Sequence, residues 1–296
     1  MNIKESFGRK VFNVINVIIM LFLIVVTLYP LLYVVFASLS NSNEFMKQSG
    51  LLLKPAGFSW AAYKAVFKNP NILTGYKNTI IVLVAGTAIN IFLTSLAAYF
   101  FSRKNVMFKN VLMMFVMFTM FFSGGMIPSY LIVKGLGLLD TYWALLLPVG
   151  ISTYNMIIMR TGFAAIPDSL EESAKIDGAN HWTILFRIVF PLAKPTIAVI
   201  VLYYAVAHWN SWFNAMIYLQ KRRDLQPLQL ILRSILLEND TNNMTAGTAV
   251  PGTDTENIAE TIKYAVIVVA TVPILAIYPF LQKYFVKGIM IGAVKG

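Results

Sequence analysis

Long apolar runs separated by short polar punctuation dominate this chain. A membrane-crossing helix needs about 20 apolar residues. Counted that way, the pattern predicts six spans, at roughly 11–37, 78–101, 108–133, 141–160, 189–219 and 262–286. An even number places both termini on the same side. The spans leave two long outer loops, 38–77 and 220–261, and a polar segment, 161–188, between the fourth and fifth. The reading is an all-α integral membrane protein with one transmembrane domain, 1–296. Lys4, Arg9 and Lys10 before the first run look like a signal-peptide start. The run 11–38 is too long for such a core, and no A-x-A site follows, so the expectation is an uncleaved first span.

Several spans carry residues that disturb helices. Pro30 lies in the outer half of the first and predicts a kink. Gly124-Gly125-Met126-Ile127-Pro128 sits in the third. Pro148, Gly150, Ser152 and Asn155 mark the fourth. Such residues are tolerated in a span where neighbouring helices or a cavity satisfy the backbone. The fifth opens with Pro191, Lys194 and Pro195 and continues through His208-Trp209-Asn210-Ser211-Trp212-Phe213-Asn214, with Asn210 and Asn214 on one helical face. Trp60, Tyr63 and Phe67 in the first outer loop have the spacing of an amphipathic helix, suited to an interface or to packing against the spans. In the second outer loop, Leu228–Leu237 is apolar but too short to cross, and 240–255 reads as loop. Pro273 and Pro279 interrupt the sixth span.

The least hydrophobic stretch outside the loops is PDSLEESAKIDGANHWTILFRIVFP, residues 167–191. Each acid would cost about 2.5–3.5 kcal/mol at the bilayer centre, so the stretch lies outside the hydrocarbon. Ser169 with Glu172 has the form of a capping box. Gly178 supplies the left-handed residue that ends a helix, and Asn180 is placed to cap a second helix running into Pro191. The pattern predicts helix, sharp turn, helix.

Hydrophobic residues make up 58% of 296 residues and charged residues 12%, against about 25% charged in soluble domains. Cysteine is absent, which removes disulfides and thiolate metal sites. His181 and His208 are too far apart for a local metal motif. The net charge of +11 flanks apolar spans rather than forming a nucleic-acid stripe. Short loops orient the chain. Three basic residues precede the first span, three lie in 102–110 and three follow Gln282, against Lys134 alone in the 134–140 link. That puts both termini and the acidic stretch in the cytoplasm. Lys47, Lys54, Lys64, Lys68 and Lys77, and Lys221-Arg222-Arg223, stand against it, but in long loops that weigh little.

Glu172-Ser173-Ala174, Gly178 six residues after Glu172, Ile188 ten further on and Pro191 together resemble the "EAA…G…I-L-P" loop of bacterial ABC importer permeases. Ser173 replaces the middle Ala, and Phe190 the Leu before the proline. The six spans, the Trp-Asn pair and the GIMIGAVKG ending extend the resemblance to the second permease subunit of maltose-type carbohydrate importers. Residues 124–148 resemble a branch associated with larger oligosaccharides and complex glycans. The resemblance implies a type I importer fold in a bacterial cell membrane. It implies a homologous second permease subunit, two ATPase subunits at the coupling loop and at the tail Gly292–Gly296, and an extracytoplasmic solute-binding protein. ATP and Mg would be bound by the ATPase subunits, with no cofactor, metal or catalytic residue in this chain. The coupling residues it implies are Glu171, Glu172, Ser173, Ala174, Asp177 and Gly178, with Glu171 or Glu172 facing a basic residue of the ATPase. Glu172 also has a plain reading as a helix cap.

A sugar path would use aromatic faces and amides, which makes Asn155, Trp209, Asn210, Trp212 and Asn214 its candidates. Each has an ordinary structural reading too. Asn in a span often bonds a neighbouring helix, and Trp near a span end belongs to the interfacial belt. Three rivals remain open: an importer for a non-sugar solute, an ion-driven carrier, and a membrane enzyme. A carrier needs an ionisable residue deep in a span, and His208 alone qualifies. An enzyme needs clustered acids, bases or ligands, which the sequence lacks. No G-x-x-x-x-G-K-[ST] occurs, so ATP hydrolysis resides elsewhere.

Overall fold

A computed structural model describes residues 7–104, 106–237 and 260–276. Among them the ordered structure is helical, apart from one isolated antiparallel bridge between Ser40 and Phe58. The described residues form two compact units, 7–69 with 234–237 and 260–272, and 70–104 and 106–233 with 273–276.

The first unit is built on α1, Phe7–Ser38, which runs through Pro30 without ending. Its residues 7–28 are exposed on every side. An apolar helix left bare by its own chain needs lipid or another subunit around it. Its end is held by polar contacts: the Ser38 and Tyr63 hydroxyls meet at 2.8 Å, and the Leu52 N–H donates to the Tyr29 hydroxyl at 3.1 Å. Two short helices follow, α2, Ser42–Lys47, capped by Asn41, and α3, Ala61–Lys68. Trp60, at the start of α3, and Phe67 within it stay exposed. Tyr33, Phe45 and Tyr264 form a triad of tilted and edge-on rings with centroids 5.5–6.3 Å apart.

The second unit is organised around α4, Pro70–Ser102, a 33-residue helix. It begins eight residues before the predicted span. Its buried face is small and polar: Gly75, Asn78, Thr79, Gly86, Asn90, Thr94, Ser95 and Ala98. That composition lets helix backbones approach closely and bonds them across the contact. Two helices alone are long and apolar enough to cross a membrane among the described residues, α1 and α4; two bent pairs reach that standard together.

The other predicted spans are interrupted. The third consists of α5, Lys109–Phe121, and α6, Met126–Gly135, bent by 111°. Gly125, with φ +86°, sits at the break, in a conformation that favours glycine. The fourth is α7, Trp143–Leu146, then an irregular stretch 147–152, then α8, Thr153–Ala164. The fifth does not run straight through 189–219. Helix α10, His181–Leu192, meets α11, Lys194–Trp209, at 88°, where Pro195 has no N–H to continue the ladder. A further break at 210–212 precedes α12, Phe213–Tyr218. The apolar run in the outer loop is α13, Leu228–Leu237. Helix 260–276 covers the start of the sixth span; 277–286 lies outside the described residues, as do 240–255 and Gly292–Gly296.

Two apolar clusters fill this unit. One surrounds Ala98, Met156, Met159, Phe163, Ile184 and Ile200; the other surrounds Val82, Ala144, Leu145, Tyr218 and Leu230. A polar layer at Asn90, Thr94, Tyr204 and His208 lies between them along α4 and α11.

Candidate functional site

The acidic stretch folds as an elbow. Its first arm, α9, spans Asp168–Ile176. The expected capping box is not formed. Pro167 is the cap residue and Asp168 already lies in the helix, so Ser169 is interior and makes no cap bond. The stop is as expected. Gly178 has φ +78°; its N–H donates to the Lys175 carbonyl at 3.0 Å, and the Ala179 N–H to the Ala174 carbonyl at 2.9 Å. This pair of bonds is a Schellman motif. Nothing lies within 4 Å of where a Gly178 side chain would begin, so the need for glycine is conformational. Asn180 then accepts the Thr183 N–H at 2.9 Å and starts α10. Residues Ile184–Val189 of α10 form a π-helical turn.

The elbow is divided by burial. Glu171 and Ala174 face inward, 8% and 9% exposed, with Ala174 inside the apolar cluster. Glu172, Ser173, Asp177 and Gly178 are exposed, and Ile176 beside them is 87% exposed. Trp182 and Phe186 stack with near-parallel rings, 5.9 Å apart, on the second arm, both exposed.

The buried carboxylate of Glu171 is held by Arg103, from the residue after α4, and by Lys175 at 2.9 Å. The same guanidinium donates to the Phe163 carbonyl in α8 at 3.2 Å and lies over the Tyr99 ring at 5.0 Å. The Tyr99 hydroxyl meets His181 Nδ1 at 3.0 Å, and Lys104 pairs with Asp168 at 2.5 Å. Burial by itself raises the Glu171 pKa. The hydrogen bonds from Lys175 and Arg103 outweigh it and hold the carboxyl below its ordinary value. The Lys104 hydrogen bond likewise depresses Asp168, and Asp168 raises Lys104. Tyr99, Arg103, Lys104, Glu171, Glu172 and His181 line a cleft of about 540 Å³. Of the two glutamates, Glu171 is therefore turned into its own chain and Glu172 is left facing out.

The sugar-path candidates divide differently. Trp209 is buried, edge-on to Tyr76, and its Nε1 has no hydrogen-bond acceptor among the described residues. Asn210 ends α11 and spends its amide on the Val206 carbonyl at 2.9 Å. Trp212 is part-exposed, with Phe213 edge-on and the Arg233 guanidinium 4.9 Å over its ring. Asn214 is half-buried in α12. The break at 210–212 separates Asn210 and Asn214, so they do not share a helix face. Asn155 is buried near the start of α8, donating its backbone N–H to Ser152 Oγ.

Residues 90–291 match the family model described as the binding-protein-dependent transport system inner membrane component. The chain belongs to this family. The match takes in the elbow, the polar layer and the breaks in the third to fifth spans, while α1 lies outside it. The protein LplC of Bacillus subtilis (strain 168) is 44% identical over 290 residues, 97% of this chain and 96% of its own. A polygalacturonan/rhamnogalacturonan transport system permease protein of the same organism, YtcP, is 43% identical over 97% of this chain and 99% of its own. Among solved structures, a crystal structure of a bacterial ABC transporter involved in import of the acidic polysaccharide alginate contains a similar chain. That chain is 32% identical with a TM-score of 0.88, covering 96% of this chain and all of the other. The fold is that of an ABC importer permease.

Membership of this inner-membrane family gives weight to residues that the sequence reading passed over. Arg103 counted there only as a cytoplasmic charge. Tyr99 and His181 carried no signal, because they meet across two elements; Lys175 stands four residues after Glu171 on the same helix, a spacing the sequence does show.

Proposed function

We propose that this chain is a permease subunit of an ATP-driven importer, and that it passes an oligosaccharide across the bacterial cell membrane. It works beside a homologous second permease subunit, with two ATPase subunits below and an extracytoplasmic binding protein above. The observation that carries this reading is the divided elbow. An exposed edge of Glu172, Ser173, Ile176 and Asp177 rides on a helix whose other face is pinned to α4 and α8. An edge of that kind can be pushed without unfolding. ATP closure of the ATPase subunits would carry the elbow inward and rock the spans between inward- and outward-facing states. Both termini and the elbow then lie in the cytoplasm, with six spans in the membrane.

The solute is best read as an acidic oligosaccharide. Relatives are named for polygalacturonan/rhamnogalacturonan and for alginate. Trp212 offers an aromatic face for sugar C–H groups, and the Arg233 guanidinium over its ring adds a positive charge beside it.

The reading is tested with Glu172→Ala combined with Gly178→Val in the reconstituted complex. Sugar-dependent ATP hydrolysis should fall to the basal rate. Hydrolysis at the wild-type level removes the coupling role.

A further inference from the structure

We propose that Arg103 locks the elbow to α4, and that α4 carries the elbow's displacement to the segment 224–231 at its opposite end, through Asn78. This rests on the elbow being the point where the ATPase acts.

The near end is a three-way joint. One guanidinium, that of Arg103, ties α9 through Glu171 and α8 through the Phe163 carbonyl, and packs on Tyr99 of α4 itself. The Tyr99–His181 bond adds the second arm of the elbow, and Lys104–Asp168 fixes the start of the first. Both arms are thereby tied to one helix end.

The far end is also pinned, by side chains of α4 that bond mainly to backbone groups. Asn78 Nδ2 donates to the Asp224 and Gln226 carbonyls at 2.8 and 2.9 Å, while its Oδ1 accepts from the Tyr142 hydroxyl at 2.7 Å. One helical position on, Thr79 Oγ1 accepts the Leu228 N–H at 2.9 Å. A Cβ on Gly75 would meet Ile231 Cδ1 at 2.6 Å and the Leu228 Cα at 3.1 Å. The contact is close enough that the 224–231 segment must follow α4.

Between the joints the helix is continuous. From Asn78 to Tyr99 is about 32 Å at 1.5 Å per residue, close to the thickness of the hydrocarbon core. The predicted spans around it are broken at 122–125, 147–152, 193 and 210–212, and a broken span takes up displacement at its break. An uninterrupted helix fixed at both ends does not. Coupling is reciprocal, and 224–231 lies on the outer side in the topology proposed above, so a load applied there reaches the elbow along the same rod.

Arg103 and Asn78 are positioning residues, and the test separates them from the docking edge. The full complex, with partner permease, ATPase subunits and binding protein, is reconstituted in nanodiscs. Each form carries Ile176→Cys for cross-linking to the ATPase. Stimulation of ATP hydrolysis by an oligogalacturonate-loaded binding protein is then compared. In Arg103→Gln the cross-link and co-purification should persist while stimulation falls about tenfold, within the usual range of coupling between sites. Arg103→Lys, which keeps the charge but loses the fork, should fall between. Asn78→Ala should also lose stimulation with the cross-link intact. Unchanged stimulation in Arg103→Gln overturns the proposal, and so does unchanged stimulation in Asn78→Ala. If the Ile176→Cys cross-link is missing from the otherwise wild-type complex, the coupling reading itself has failed, whatever Arg103 does.

Discussion

Asn90 Oδ1 and His208 Nε2 lie 2.6 Å apart, both side chains buried at mid-span. Asn90 Nδ2 donates to the Val149 and Gly150 carbonyls at 2.7 and 2.8 Å. With both amide hydrogens spent, Oδ1 is the acceptor and His208 Nε2 carries the proton. One asparagine thus satisfies the two carbonyls freed where the fourth span is broken, and ties that break to α11. His208 is accounted for by this bond, which leaves the ion-driven carrier without its ionisable residue.

Replacing Asn90 with Leu strands those carbonyls and the His208 donor. Buried unpaired groups cost about 1–3 kcal/mol each in water-soluble proteins, and hydrogen bonds between membrane helices average about 0.6 kcal/mol. The expected loss is about 1–3 kcal/mol. A lowered midpoint of thermal unfolding in detergent would show it, and a midpoint equal to wild type would contradict the role.

Gly86 lies against the same imidazole. A Cβ there would come within 2.5 Å of His208 Nε2 and 2.6 Å of Cε1. Gly86→Ala should push the ring from Asn90 and cost about 1–3 kcal/mol, as overpacking does. The double variant Gly86→Ala, Asn90→Leu should cost less than the sum of the two, because both break one bond. Additive losses in the same unfolding assay would count against the shared contact.

Glu171 gives the elbow a pH dependence. Its pKa is held below the ordinary value by Lys175 and Arg103 against the opposing effect of burial. A depressed carboxylate contributes stability that is fully present above its unfolded pKa, about 4.3, and lost as pH falls through the lower folded value. Amide exchange of α9 should therefore rise, relative to a distant helix, as pH drops below about 4.3. Glu171→Gln should remove that rise and leave α9 uniformly less protected. A rise that persists in the variant would assign it to another group.

The acidic-solute reading makes a comparison at fixed chain length. Arg233→Gln should lower the maximal uptake rate of oligogalacturonate, at saturating binding protein, by about tenfold. Uptake of its neutral methyl ester should be unaffected. Equal losses for both would mean that Arg233 only supports Trp212.

The elbow was readable because its signals are local. Gly178 and Asn180 act within a few residues of themselves, and the structure has them in those conformations. The capping box failed on an equally local point: Pro167 starts the helix two residues earlier than Ser169 would. The first two spans were readable because nothing interrupts them. The bends were not, since both halves of a broken span are apolar and a hydropathy count adds them together. The inward turn of Glu171 was hidden for another reason. Arg103 is 68 positions away, and only the packing of α4 against α8 brings them together. The path candidates were chosen by residue type, which does not say that α11 ends at Trp209 and separates Asn210 from Asn214.

The chain has no cysteine, so a single Ile176→Cys, at a site 87% exposed, gives a clean probe of the elbow. Its labelling by a membrane-impermeant maleimide can be compared in intact cells, in inverted vesicles, and in vesicles stripped of the ATPase. The account predicts no labelling from outside, strong labelling in stripped inverted vesicles, and protection when the ATPase is restored. Labelling from outside, or labelling from inside that the ATPase leaves unchanged, would contradict it.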